Sequence, residues 1–159
     1  MRMEIIDNFL PSYHFKQLQS IMMGYDFNWF WNDQICYEGD PFYQFYHSFY
    51  QEDRLSKFYE NVLDSFVARI KHKKMHRIKA NLNPRTIFHR NTGYHSDYPN
   101  MTTSIFYVNT NNGWTQFEKG GKVKCVENRL VTFDSNQRHA GVTCTHPKRK
   151  VVINFNYER

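Results

Sequence analysis

Two stretches in the first half of the chain carry apolar residues at three- and four-residue spacing, the period of an amphipathic helix. The first follows Pro11, and Gly24 is suited to end it. The second is the strongest periodic signal in the chain. We expect Asp53 to cap it and the basic segment 71–74 to end it. Its apolar positions are Leu55, Phe58, Tyr59, Val62, Leu63, Phe66, Val67 and Ile70.

After residue 75 the pattern changes to short strand-like runs separated by turn signals. The runs are HRIKANLN, MTTSIFYVNT, GWTQFE, KVKCVE, RLVTF and KVVINFNY. Many short strands at such spacing predict a sandwich or a barrel. The aromatic segment 25–50 shows neither period, and we expect a long surface loop that packs over the core or lines a pocket. We therefore predict one α+β domain over 1–159, mainly β, with 1–75 as helical support and 76–159 as the core.

Composition narrows the class of protein further. The chain has 159 residues with 14 Phe, 11 Tyr and 3 Trp, enough for one aromatic-rich core. Its net charge of +6 is scattered and no nucleic-acid-binding motif accompanies it, which argues against a nucleic-acid partner. No apolar run has membrane-spanning length, so we expect no membrane partner. The cysteines Cys36, Cys125 and Cys144 fit no zinc or redox spacing, which favours a reducing, cytoplasmic location.

Candidate chemistry lies in the segment GYHSDY, which contains His95 and Asp97. On an extended segment these two side chains point to the same face. The His-x-Asp spacing alone is a weak signal. A second imidazole would complete a two-histidine, one-carboxylate triad, which leaves coordination positions open on iron(II). The candidate is His139, which follows a predicted strand and a polar turn near the end of the β region.

A basic residue lies ten positions beyond His139, where Arg149 opens the run KVVINFNY. If Arg149 points into the barrel, its guanidinium needs an anionic partner, and its forked geometry suits a carboxylate. A diacid could then chelate the metal at one end and meet Arg149 at the other. A shift of register by one residue would instead send Lys148 or Lys150 inward.

These features together resemble the iron(II)- and 2-oxoglutarate-dependent oxygenases, in their prolyl-4-hydroxylase-like branch. The resemblance covers roughly residues 76–157, about half of the chain. It includes His95-Ser96-Asp97, His139, Arg149, the run SIFYVNTNNGWTQFE and the approach RLVTFDSNQRHAG. The N-terminal MEIIDNFLPS before a helix is similar as well. The resemblance implies a double-stranded β-helix, also called a jelly roll or cupin-like fold, with the N-terminal helices packed on one sheet.

The same resemblance implies a set of ligands. Iron(II) would be bound by His95, Asp97 and His139, and 2-oxoglutarate would chelate the iron. Arg149 would bind the distal carboxylate of 2-oxoglutarate. Tyr107 matches a position whose hydroxyl often meets that carboxylate, and Asn83 matches a further cofactor-contacting position. No catalytic side chain beyond the metal ligands is required.

The implied activity is that of a dioxygenase. It would use O2 and 2-oxoglutarate to hydroxylate an unactivated C–H bond, with release of succinate and CO2. The substrate could be a peptidyl proline, another amino-acid side chain or a small molecule. Two alternatives stay open. One is a non-catalytic jelly-roll binding module. The other is a cupin-like metalloenzyme that does not use 2-oxoglutarate.

Overall fold

The computed structural model describes residues 3–159, and this part of the chain contains two helices and eleven strands. The helices are α1 (Ser12–Met23) and α2 (Tyr59–Val67). The strands are β1 (Glu4–Ile6), β2 (Phe30–Asn32), β3 (Gln44–Gln51), β4 (Arg54–Leu55), β5 (Lys74–Pro84), β6 (Thr102–Tyr107), β7 (Trp114–Phe117), β8 (Lys122–Lys124), β9 (Arg129–Asp134), β10 (His139–Val142) and β11 (Arg149–Glu158).

The strands form two antiparallel sheets. The larger has the order β1-β9-β6-β11-β5-β3-β2, with β4 paired to β3, and the smaller has the order β10-β7-β8. The non-consecutive neighbours show that the chain crosses between the sheets, as in a double-stranded β-helix. The predicted fold class, mainly β with helices packed on one sheet, is confirmed.

The first core lies between the two helices and one face of the larger sheet. Strand β11 supplies every second residue to it, with Val151, Ile153 and Phe155 fully buried. The ring of Phe66 on α2 stacks on Phe155, with ring centroids 4.3 Å apart and an interplanar angle of 2°. Three- and four-residue spacing places the buried side chains of each helix on one face. The helix residues of this core are Phe15, Leu18, Met22, Val62, Leu63 and Phe66.

The second core lies between the two sheets. It contains residues of β6, β7, β8, β9 and β11. Its buried members are Ile105, Tyr107, Phe117, Val123, Cys125, Val131, Phe133 and Val152. Because side chains alternate along a strand, the residues of β11 that face this side are Lys150, Val152, Asn154 and Asn156. The space between the sheets is therefore apolar on the side of β6 and β9 and polar on the side of β5.

Two local expectations are wrong. The segment 25–50 is not a loop throughout, because β2 and β3 extend the larger sheet at its edge. Strand β3 escaped the sequence analysis because both of its faces carry aromatic residues, which hides the two-residue period. Asp53 does not cap a helix: it lies in the turn between β3 and β4 at a φ of 59°, and α2 begins later, at Tyr59. Strand β10 is a further strand that the predicted runs do not include.

Candidate metal centre

The structure brings His95, Asp97 and His139 together. One ligand atom from each lies within 4.8 Å of the others. The backbones of His95 and His139 are paired, because each amide N–H donates to the other's carbonyl oxygen, at 3.0 and 2.8 Å. The Nδ1 atom of His95 lies 3.3 Å from the carbonyl oxygen of Gly93 and 3.4 Å from Sγ of Cys36. A proton on Nδ1, donated to that carbonyl, leaves the Nε2 lone pair for a metal.

The other two side chains have the protonation states that a divalent metal needs. Burial alone would raise the pKa of Asp97. Three contacts outweigh this effect and lower the pKa below its ordinary value: the electrostatic interaction with His139, a hydrogen bond from Thr103 Oγ1 to Asp97 Oδ2 (2.7 Å), and the charge of Arg77. Burial lowers the pKa of His139, so its imidazole is neutral near pH 7. His139 Nδ1 lies 3.0 Å from the Gln137 carbonyl, which leaves Nε2, 3.9 Å from Asp97 Oδ2, for a metal.

A cavity of about 420 Å³ opens between the sheets at these three residues. Besides the His-Asp-His group, its wall includes Thr92, Thr115 and Gly141 from the smaller sheet's side, and Lys150. The larger sheet lines it with polar side chains. These are Gln44, Arg77, Lys79, Asn81, Asn83 and Asn154. The polar row on β5 alternates with the buried Ile78, Ala80 and Leu82.

The predicted inward direction of Arg149 is wrong. Its guanidinium points to the helical side of the larger sheet, where Nη2 donates to the carbonyl oxygen of Met23 at 2.9 Å. Met23 is the last residue of α1, so the arginine satisfies a free carbonyl at the helix C-terminus, where a cation is favourable. Arg149 lies on the same face of β11 as Val151 and Ile153. This apolar face packs against the helices rather than inside the jelly roll.

Lys150 takes the inward position instead. Its side chain is buried in the cavity wall, and Nζ donates to the carbonyl oxygens of Trp114 (3.0 Å) and Val142 (3.1 Å). Burial lowers the pKa of this lysine. A buried ammonium whose partners are two neutral carbonyls is a strong site for an anion, because a carboxylate would offset the loss of hydration.

The two other predicted cofactor residues have different positions. Asn83 lines the cavity beside Lys150, its Cα partner across β5 and β11, and its Nδ2 lies 3.5 Å from Oε1 of Gln44. Tyr107 is fully buried beneath the cavity, and its hydroxyl lies 2.7 Å from Oγ1 of Thr115. Burial raises the pKa of Tyr107 far above its ordinary value, so its hydroxyl keeps its proton. It therefore reaches the cavity wall only through Thr115.

The donor set fits iron(II) and an organic diacid. Two neutral imidazoles and one ionised carboxylate form the facial triad that non-haem iron prefers. Gly141 follows His139 by two residues on the same strand, so both face the cavity. A Cβ at Gly141 would lie 3.7 Å from Lys150 Nζ and 3.4 Å from Thr92 Oγ1. The glycine thus keeps the space between the histidine and the lysine free for a ligand.

Comparison with solved structures supports this fold. A prolyl hydroxylase from Trichoplax adhaerens, in complex with a fragment of the hypoxia inducible factor oxygen degradation domain, is 17% identical, with a TM-score of 0.65 over 98% of this chain and 83% of that chain. An oxidoreductase of the 2OG-Fe(II) oxygenase family from Burkholderia pseudomallei is 9% identical, with a TM-score of 0.72 over 99% of this chain and 86% of that chain.

A prolyl-4-hydroxylase from Pseudomonas putida is 14% identical, with a TM-score of 0.60 over 99% of this chain and 92% of that chain. No family model matches the sequence, and no curated protein matches it significantly. At these identities the likeness establishes the shared jelly-roll fold. Neither helix of the described residues is long and apolar enough to cross a membrane.

Several residues of the site escaped the sequence analysis. Lys150 was hidden in a run of three basic residues, where charge alone does not choose the inward one. Arg77 and Thr103, which contact Asp97, are separated from it by 20 and 6 positions. A usable signal was present in β11, where Asn154 and Asn156 alternate with the apolar residues and mark the polar face.

Proposed function

We propose that this protein is an iron(II)- and 2-oxoglutarate-dependent oxygenase. The observation that carries the proposal is the placement, in one cavity, of the His-Asp-His group and the buried ammonium of Lys150, with Gly141 between them. His95, Asp97 and His139 would hold iron(II). Lys150, rather than Arg149, would bind the distal carboxylate of 2-oxoglutarate, with Asn83 beside it.

When bound, iron(II) and 2-oxoglutarate supply the oxidising power, since together with O2 they couple loss of CO2 and formation of succinate to hydroxylation of a C–H bond. The chain's own residues bind these ligands, orient the groups that hold them and shield the site from water. Thr103 and Arg77 hold the carboxylate of Asp97, at 2.7 and 3.4 Å. Phe117 and Phe133 pack against the ring of His139 and keep water from its inner side.

We further propose that the substrate is an amino acid, free or within a peptide. The comparison protein from Trichoplax adhaerens is a prolyl hydroxylase with a bound peptide fragment, which supports a substrate of this class. The free thiols of Cys36, Cys125 and Cys144 support a reducing compartment such as the cytoplasm.

Anaerobic titration of the purified protein with iron(II) and then 2-oxoglutarate tests the proposal. We expect the weak visible charge-transfer band of chelated iron. His139→Ala should abolish it, whereas His14→Ala, on helix α1 across the larger sheet, should leave it intact. A folded protein that binds iron without the band would indicate a cupin-like metalloenzyme. A folded protein that binds no metal would indicate a binding module.

A further inference from the structure

One cation in the cavity has neither a carboxylate nor a hydrogen-bond acceptor as a partner within residues 3–159. Lys79 faces the cavity from β5, and its Nζ lies 4.9 Å from the ring centroid of Tyr46. No carboxylate and no hydrogen-bond acceptor of the described chain contacts it. Lys150, in contrast, has two carbonyl partners. Arg77 has Asp97, at 3.4 Å, together with an asparagine oxygen.

Two carboxamides next to Lys79 also lack partners. Asn154 is the Cα partner of Lys79 across β5 and β11, and Asn81 is the next cavity-facing residue along β5. The Oδ1 atoms of both are buried, and no group in the described part of the chain hydrogen-bonds to them. Directly opposed residues in an antiparallel pair lie within reach of one ligand. A carboxamide can turn to present either its oxygen or its N–H groups.

The charge of the cavity also favours an anionic ligand. Its described lining contains Arg77, Lys79 and Lys150 but only one carboxylate, Asp97. The charges of iron(II) and the 2-oxoglutarate dianion cancel, so both ligands together leave an excess of positive charge. Burial and the neighbouring Arg77 lower the pKa of Lys79. A bound anion would relieve both effects.

The position of Lys79 separates it from the place proposed for 2-oxoglutarate. Its partner Asn154 lies four residues along β11 from Lys150, about 13 Å at the usual rise per residue. On the other side, Lys79 follows Arg77 by two residues on the same face, and Arg77 contacts Asp97. A group bound at Lys79 therefore lies close to the metal ligands and away from Lys150.

We propose that Lys79, Asn81 and Asn154 form a subsite for a carboxylate of the primary substrate. The inference rests on the proposed oxygenase function and deepens it. The ammonium of Lys79 pairs with the carboxylate, and the two carboxamides hydrogen-bond to it and to a polar group beside it. Lys79 lies two positions from Arg77 on β5, and Arg77 contacts the metal-ligand candidate Asp97. The reacting C–H bond of the substrate therefore lies only a few bonds from the carboxylate that Lys79 binds. A free L-amino acid has this chemistry, and so does an acidic residue of a peptide.

Release of succinate from the protein loaded with iron(II) and 2-oxoglutarate, in air, is the assay. The first arm supplies each of the common L-amino acids and, separately, its carboxamide. The second arm supplies N-acetylated, C-amidated tripeptides with a central Asp or Glu, or with Asn or Gln. We expect at least one carboxylate probe to raise succinate release more than tenfold and its amide counterpart to have no effect. The arm that responds identifies the source of the carboxylate.

Variants assign the effect to the subsite. Lys79→Met should reduce the stimulated rate at least tenfold, and Lys79→Arg should retain most of it. Lys57→Met is the matched control, because Lys57 is an exposed lysine over a ring at a similar distance, 5.0 Å from Phe58. The dissociation constant for 2-oxoglutarate, from the anaerobic band, should stay within twofold in Lys79→Met.

Four results would overturn the subsite. They are stimulation by amides equal to that by acids, an unchanged stimulated rate in Lys79→Met, weaker 2-oxoglutarate binding in that variant, and no response to any probe of either arm. If the unsubstituted protein gives no charge-transfer band, the oxygenase function and the subsite fail together. If the band is present, the subsite alone has failed.

Discussion

Lys150→Met is the change that most directly tests the site. The substitution keeps a side chain of similar length and removes the buried ammonium that faces the cavity. A hydrogen bond to a charged group contributes about 1.5–3 kcal/mol. Since about 1.4 kcal/mol corresponds to a factor of ten, we expect the affinity for 2-oxoglutarate to fall roughly 10- to 150-fold. Iron(II) affinity should change little, because Lys150 is not one of the three clustered metal-ligand candidates.

The assay is the anaerobic titration of the iron-loaded protein with 2-oxoglutarate. Lys150→Arg keeps the charge and should retain more of the affinity than Lys150→Met. Arg149→Met is the matched control, since it removes a cation one residue away on the opposite face of β11. It should leave the affinity unchanged and lower stability slightly, because α1 loses a partner for its last carbonyl. The reasoning is refuted if Arg149→Met weakens 2-oxoglutarate binding and Lys150→Met does not.

The pH dependence gives an independent check. Only the ammonium form of Lys150 binds a carboxylate strongly, and burial lowers the pKa of this lysine below its ordinary value. Affinity for 2-oxoglutarate should therefore be full below that lowered pKa and fall as pH rises through it. In Lys150→Arg the fall should disappear from the same range, because a guanidinium stays protonated there. An identical pH profile in both proteins would contradict the assignment.

Three further predictions concern the metal, the ligand space and the core. Thr103→Val removes the hydrogen bond to Asp97 and should weaken iron(II) binding about 10- to 100-fold in a metal titration. Gly141→Ala fills space proposed for the ligand beside the lysine and should weaken 2-oxoglutarate binding about 5- to 150-fold, the ~1–3 kcal/mol of an added methyl group that crowds a packed site, measured by the same band. Phe66→Ala should lower the free energy of unfolding by about 3–5 kcal/mol in a urea titration, whereas Phe88→Ala, 73% exposed, should change it by less than about 0.5 kcal/mol.

Controls separate these effects from general destabilisation. Thr132→Val also removes a buried hydroxyl, one that bonds to Ser104, and should leave iron affinity unchanged. Gly113→Ala contrasts with Gly141→Ala, because a Cβ at Gly113 would lie 2.7 Å from the carbonyl oxygen of Val142 and should destabilise the fold. Equal metal loss in both threonine variants, or an equal shift in unfolding for both glycine variants, would contradict the assigned roles.

Local patterns predicted most of the fold. The helix α1 and the strands from β5 onward, except β10, were recognisable because their apolar residues follow the helix or strand period. The sequence failed where an element has no single polar face, as in β3, or has small residues at its centre, as in β10 with Ala140 and Gly141. The length of α2 was overestimated, because apolar residues before and after the helix, such as Leu55 and Ile70, continue its three- and four-residue spacing without being helical.

The metal-ligand candidates of the site were predictable from the sequence, but the face of β11 that points into the cavity was not. The grouping of His95, Asp97 and His139 was expected from motif order, and the structure brings them together. The choice between Arg149 and Lys150 depends on which face of β11 meets the helices, and a shift of one residue reverses it. Three consecutive basic residues leave no local signal for that choice. Only tertiary packing, which buries the apolar face under the helices, decides it.

The mutual backbone hydrogen bonds of His95 and His139 bear on how the chain opens. These residues bound the stretch that contains β6 to β9, so a metal held by both side chains would close a long loop as a cross-link does. Local fraying of β10 would then require release of the ion, and the amide hydrogens of both histidines would exchange faster in the apoprotein. Bound iron would therefore stabilise the folded chain by mass action, in addition to its proposed part in the reaction.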